Sequence, residues 1–120
     1  MPKVKTFEAA CQKLGIDTSK LPDFSAVPVK HQAALIAHFK LVIIAQVLND
    51  GWEPNWDDYN EYKYYPWFYM DSALGFDLNH VYCHYSASTV GSRLCFKTEA
   101  LAEYAAKNFK DLYKDYMLIA

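Results

Sequence analysis

The stretch WEPNWDDYNEYKYYPWFY, residues 52–69, decides the fold of this chain. Nine of its eighteen residues are aromatic, and such side chains favour pleated, half-buried surfaces. Residues 62–69 are therefore predicted to form a β-strand. Side chains alternate between the two faces of a strand, which separates an inner set from an outer set. The inner set is Tyr62, Tyr64 and Phe68, and the outer set is Lys63, Tyr65, Trp67 and Tyr69.

Pro66 limits where this strand can lie in a sheet. Proline has no backbone N–H to donate to a neighbouring strand, so it is confined to edges and bulges. We therefore expect an edge strand, or a bulge at Pro66.

The segments around this strand predict three helices and two more strands. Thr6 and Gly15 bound a short first helix, and Pro28 opens a long apolar helix that runs to about residue 49. Residues 80–85 and 90–97 alternate as strands, and Thr98 caps the last helix. The inner face of the sheet would also carry Val81, Cys83, Leu94 and Phe96, and its outer face would also carry Arg93 and Lys97.

These elements predict a single α+β domain spanning residues 1–120, in the order ααβββα. Its sheet would have three antiparallel strands, with helices on one face. Residues 1–28 would form the N-terminal helix and a loop wrapped on the surface. Residues 29–120 would form the helix–sheet–helix core.

Composition and charge indicate an ordinary cytoplasmic domain. The net charge of −2 gives no general attraction to nucleic acid or to anionic lipid. Three cysteines without paired metal spacing indicate free thiols in a reducing compartment. The most apolar run, residues 33–48, is shorter than the ~20 residues of a membrane span. We therefore expect a cytoplasmic protein with no membrane partner.

The outer face of the sheet is the candidate binding site. Aromatic rings interleaved with basic groups suit a protein interface, and they also suit stacking of single-stranded nucleic acid. A third interpretation is that residues 21–27 or the first helix cover Trp67 and Tyr69. The candidate binding residues are Lys63, Tyr65, Trp67, Tyr69, Arg93 and Lys97.

The pattern around His80, Cys83 and His84 does not predict a metal site. On a strand Cys83 points away from both histidines, which would lie about 13 Å apart at ~3.3 Å per residue. That separation is too large for one ion. The chain shows no catalytic or cofactor motif, so we expect no cofactor, no metal and no enzyme activity.

Two segments resemble a known group of sequences. They are YKYYPWF at residues 62–68 and GSRLCFKTEALAEYAAKNF at residues 91–109, followed by a helix that closes with LYKDY. They resemble short proteins of unknown function from phages, prophages and other mobile elements of anaerobic bacteria. The resemblance runs from about Lys30 to the end of the chain. It implies an accessory cytoplasmic protein, and it implies no activity and no catalytic residue.

The leading hypothesis is a non-enzymatic interaction module of phage or mobile-element type. It would use the outer sheet face to bind a protein partner or a second copy of itself. The alternative is single-stranded nucleic-acid binding on the same face, and a small enzyme ranks third.

Overall fold

The computed structural model describes residues 3–119, in which four helices accompany one two-stranded antiparallel sheet. The predicted α+β class is confirmed, whereas the predicted order ααβββα is wrong. The elements are α1 (Phe7–Leu14), α2 (Val29–Asn49), β1 (Lys63–Tyr69), β2 (Asp77–His84), α3 (Glu99–Asn108) and α4 (Lys110–Met117).

Helix α1 begins and ends where its capping residues predict. The Thr6 hydroxyl accepts a hydrogen bond from the N–H of Ala9 at 3.0 Å, which satisfies a donor of the first turn. Gly15 follows the helix in the left-handed region, with φ of 69°. The buried side of α1, including Phe7 and Cys11, packs against α2.

Helix α2 is the central helix of the core. Its 21 residues reach the ~20 needed to cross a membrane, so the expectation that this region is too short does not hold. By length and composition it is the one helix within residues 3–119 that could span a membrane, a test that core helices of soluble proteins also pass. Here it packs against α1 and α4, and 28% of its most apolar segment is buried. Leu41 and Ile44 are among its buried side chains.

Strands β1 and β2 form a hairpin with a defined register. Tyr65 lies opposite Tyr82 and Trp67 lies opposite His80. A bulge follows Trp67, because the next residue of β1 pairs with Leu78 and leaves one extra residue in β2.

The predicted third strand, residues 90–97, is reduced to a single bridge. Tyr64 and Phe96 exchange two backbone hydrogen bonds, at 3.0 Å and 2.7 Å, on the side of β1 away from β2. The next position of β1 on that side is Pro66, which has no N–H to continue the ladder. In the other direction along this ladder the next residue would be Thr98, which already caps α3. Pro66 therefore limits pairing on one side of β1, although β2 pairs along its other side.

The predicted last helix is two helices, α3 and α4, separated at Phe109. Phe109 leaves the helical region with φ of −123° and ψ of 30°. The break directs α4 onto α2, and Phe109 and Tyr113 are both buried. Packing between distant parts of the chain thus overrides the continuous helical pattern of residues 99–117.

The predicted inner face is only partly buried. Phe68, Leu94 and Phe96 lie in the core with α2 and the buried alanines of α3. Tyr62 and Cys83 are exposed, contrary to prediction. Tyr62 precedes the first residue of β1, so the alternation of the strand does not apply to it.

Candidate functional site

Lys63 begins β1 and is completely buried. Its ammonium group donates to the backbone carbonyls of Asn55, Asp58 and Glu61 at 2.7, 3.2 and 3.1 Å. A carboxylate oxygen of Glu61 lies 3.4 Å away, and the ammonium lies 5.1 Å from the centre of the Trp56 ring. The charge of Lys63 therefore holds the preceding loop together and is not offered at the surface.

The loop of residues 52–62 is closed by the carboxylate of Glu61. One oxygen accepts from the backbone N–H of Asn55 at 2.7 Å, and the other accepts from the Trp52 indole at 3.3 Å. The Trp56 indole donates to the hydroxyl of Ser92 at 2.7 Å. The carboxylate of Glu61 thus has a structural role in this loop, and the hydrogen bond to Ser92 holds Trp56 beside the hairpin.

Six rings lie in contact across the outer face of the hairpin. Tyr65 stacks on His84, with centroids 4.8 Å apart and planes at 21°. Tyr82 lies 5.4 Å from Trp67 and 4.8 Å from His80. Tyr65 also approaches Tyr82 and Trp67, which joins the two groups of rings. Trp56 adjoins the first group, with its ring centroid 5.4 Å from that of His84. We call this set the aromatic ribbon; its members are Trp56, His84, Tyr65, Tyr82, Trp67 and His80.

The centre of the aromatic ribbon is open to solvent. Trp67 is 49% exposed and Tyr82 is 45% exposed, and Tyr69 continues the exposed surface at the end of β1. Helix α1 packs on α2 rather than on the sheet. The interpretation that the N-terminal region covers Trp67 and Tyr69 is therefore wrong.

A groove opens beside the aromatic ribbon, where the ladder between β1 and residues 90–97 stops. Its volume is about 470 Å³, and its lining is largely apolar. Its lining includes Pro66 and Trp67 of β1, Val90, and Met117 of α4. A large apolar side chain of a binding partner fits a groove of this kind next to exposed rings.

His84 contributes a neutral ring to the aromatic ribbon. Burial lowers the pKa of His84, and the positive charge of Lys63 lowers it further. Its Nε2 atom is buried without a hydrogen-bond partner among the described residues. Burial and the charge of Lys63 both favour the uncharged imidazole at neutral pH.

The basic residues predicted for this face lie elsewhere. Arg93 lines a different groove, with Val42 and Trp52. Lys97 is exposed, but its backbone N–H donates to the side chain of Asn49 at 3.0 Å, at the end of α2. In the part of the chain that the structure describes, no ion pair or cation–π contact joins Arg93 or Lys97 to the aromatic ribbon.

Of the predicted binding residues, the structure brings together Tyr65 and Trp67, with Tyr69 beyond them. It adds four residues that the sequence analysis did not select, namely Trp56, His80, Tyr82 and His84. The alternation of β2 already places its three members of this group on the outer face. The position of Trp56 depends on contacts of its loop, for which the sequence has no local signal.

The ribbon histidines do not form a metal site. Tyr82 separates His80 from His84 on their face of the strand, and Cys83 points to the other face. Over residues 3–119, no group of three or more histidine, cysteine or acidic side chains is placed to bind a metal ion.

Searches against protein-family models, curated proteins and solved structures found no match for this chain. The resemblance to phage and mobile-element proteins therefore stays a prediction.

Proposed function

We propose that this protein is a non-enzymatic interaction module that binds a protein partner through the aromatic ribbon. The observation that carries the proposal is the run of six contacting rings, half exposed at Trp67 and Tyr82, beside an apolar groove. Tryptophan and tyrosine supply much of the binding energy at protein interfaces, and they do so best beside pockets that exclude water.

The exposed rings offer enough surface to matter energetically. An aromatic side chain buries roughly 150–250 Å² in full, so the exposed halves of Trp67 and Tyr82 amount to roughly 200 Å². At about 25 cal/mol per Å², covering them contributes about 5 kcal/mol before the costs of association. Two residues at the centre of the ribbon can therefore act as binding hot spots.

A protein partner suits this surface better than nucleic acid does. Single-stranded nucleic acid requires positive charge along the path of its phosphates, in addition to stacking rings. The ribbon contains no lysine or arginine, the ammonium of Lys63 is buried, and Arg93 lies in a groove beside α2. The rings alone satisfy only half of the requirement.

The setting we propose follows from the sequence resemblance. The module would act in the cytoplasm as an accessory protein of a phage or mobile element. Its partner would then be another protein of that element or of its host.

Selection from a random displayed peptide library tests the proposal directly. Peptides that bind the wild-type protein should lose at least about tenfold in affinity against Trp67→Ala, which is the loss of a hot spot. The matched control is Tyr59→Ala, because Tyr59 is 74% exposed and lies outside the ribbon. Affinity for this control should be unchanged.

Two results would count against a protein partner. One is that the selected peptides bind Trp67→Ala as tightly as they bind the wild type. The other comes from titration with single-stranded DNA and RNA. Binding that weakens steeply as salt rises would favour the nucleic-acid alternative.

A further inference from the structure

The outer edge of β2 carries backbone groups with no partner. Tyr64 exchanges both of its backbone hydrogen bonds with Phe96, so its N–H and C=O point away from β2. Backbone groups alternate in direction along a strand, so those of the next residue, Tyr65, point towards β2 and form a hydrogen-bonded pair with Tyr82. By the same alternation, the N–H and C=O groups of Val81 and Cys83 point to the open side. Within residues 3–119, no strand or loop bonds to them.

This edge lacks the features that usually prevent pairing with another strand. Protein sheets protect their edges with lysine, proline, inward charges or a covering segment. Residues 78–84, LNHVYCH, contain no lysine, arginine, acidic residue or proline. The bulge at Asn79 twists one end of the strand only. His80, Tyr82 and Cys83 are exposed, which leaves the edge accessible.

We infer that the edge of β2 pairs antiparallel with the same edge of a second copy, which gives a four-stranded sheet. The edge is self-complementary. A two-fold axis at Tyr82 places Val81 of each copy opposite Cys83 of the other, and the open groups of all four residues pair. No like charges meet across this axis, because the strand carries none there.

The second copy also explains why so small a sheet carries so many rings. Pairing at this edge brings His80 and Tyr82 of both copies onto one face. The two aromatic ribbons then form one continuous surface. This inference rests on the strand edge and not on the exposed faces of the rings, so it stands independently of the proposed function.

A substitution at Cys83 separates pairing of this edge from folding. Cys83→Pro removes an outward N–H and leaves the bonds between β1 and β2 in place, as proline at an edge strand allows. Cys83→Ala is the matched control, because it removes the thiol and keeps the N–H. Sedimentation equilibrium across the micromolar to millimolar range measures the mass of each variant. We expect the wild type and Cys83→Ala to rise from 13.8 kDa to twice that mass, and Cys83→Pro to remain at 13.8 kDa.

Three results would overturn the inference: a wild type that stays monomeric at every concentration, a Cys83→Pro variant that dimerises as the wild type does, or a Cys83→Ala variant that loses dimerisation. If Cys83→Pro does not fold, Cys83→Lys replaces it, because the two lysines would lie diagonally across the two-fold axis, about 7–8 Å apart, and their repulsion should weaken the dimer most at low salt. Trp67→Ala should dimerise normally, since Trp67 lies on β1, one strand away from this edge. Loss of peptide binding and loss of dimerisation are therefore distinguishable failures.

Discussion

Replacing Lys63 with methionine should destabilise the protein strongly, although the substitution keeps most of the side-chain volume. The ammonium of Lys63 is fully buried and contacts three carbonyl oxygens between 2.7 and 3.2 Å. Methionine cannot donate a hydrogen bond. The variant would leave these carbonyls and the carboxylate of Glu61 without their shared partner.

The size of the effect follows from the burial of the pair. Removing one partner of a buried charged cluster costs about 3–5 kcal/mol. The side chain of Glu61 keeps 24% of its surface exposed, so water can solvate the carboxylate and reduce this cost. We therefore expect a decrease of about 3 kcal/mol in the free energy of unfolding. This is a large part of the roughly 5–15 kcal/mol that stabilises a domain.

Urea unfolding followed by circular dichroism measures this decrease. With a slope of about 1–3 kcal/mol per molar, the unfolding midpoint should fall by about 1–3 M. Lys107→Met is the matched control. The ammonium of Lys107 lies 2.6 Å from Glu103, closer than the Lys63–Glu61 ion pair, but its side chain is 62% exposed. An exposed pair of this kind contributes below about 1 kcal/mol.

An equal decrease of the unfolding midpoint in Lys63→Met and Lys107→Met would refute this structural role of Lys63. Such a result would mean that the three carbonyls accept hydrogen bonds from water when the ammonium is removed. The loop of residues 52–62 would then not depend on Lys63.

Three further predictions concern other parts of the molecule. Asn49→Ala should lower the free energy of unfolding by about 2–3 kcal/mol, which thermal unfolding measures. The buried amide of Asn49 donates to the carbonyl of Cys95 and accepts from the N–H of Lys97, and both groups would lose their partner. Only the thiol of Cys83 should react rapidly with a maleimide, because burial shields Cys11 and Cys95 and raises the pKa of both thiols. Mass spectrometry identifies the labelled sites, and rapid labelling of Cys11 or Cys95 would contradict this prediction. The free energy of unfolding should fall as pH drops from about 6.5, the unfolded pKa of histidine, towards the lowered folded pKa of His84, because the unfolded chain binds the proton first. His84→Phe should flatten that slope in urea titrations at several pH values.

Local chemistry was enough to predict most of the elements. Thr6 and Thr98 cap helices because their hydroxyls reach N–H groups in the next turn, an arrangement that depends on a few adjacent residues. The alternation along β1 also predicts that Phe68 is buried and that Trp67 is exposed. These features need no knowledge of distant segments.

The errors came from contacts between segments far apart in the chain. Residues 90–97 have the pattern of a strand, but Pro66 removes the donor that their second bridge needs. The last helix breaks at Phe109 because α4 packs on α2. The alternation of β1 places Lys63 on the outer face, which predicts an exposed ammonium, whereas the side chain is completely buried. The carbonyls that bury it belong to a loop with no recognisable pattern.

The candidate site was predictable in part for the same reason. Tyr65 and Trp67 follow from alternation within one strand. Their neighbours Tyr82 and His84 follow only once the register of β1 against β2 is known. Arg93 lies apart from the rings because residues 90–97 do not form a third strand beside β1.

The indole N–H signals of the three tryptophans test the central claim most directly in an NMR titration with a selected peptide. Trp67 lies at the exposed centre of the aromatic ribbon, whereas the Trp52 indole donates to Glu61 inside its loop. If the ribbon binds the partner, the Trp67 signal should shift and saturate with the peptide while the Trp52 signal stays in place. Saturable binding that leaves the Trp67 signal unmoved would contradict the account.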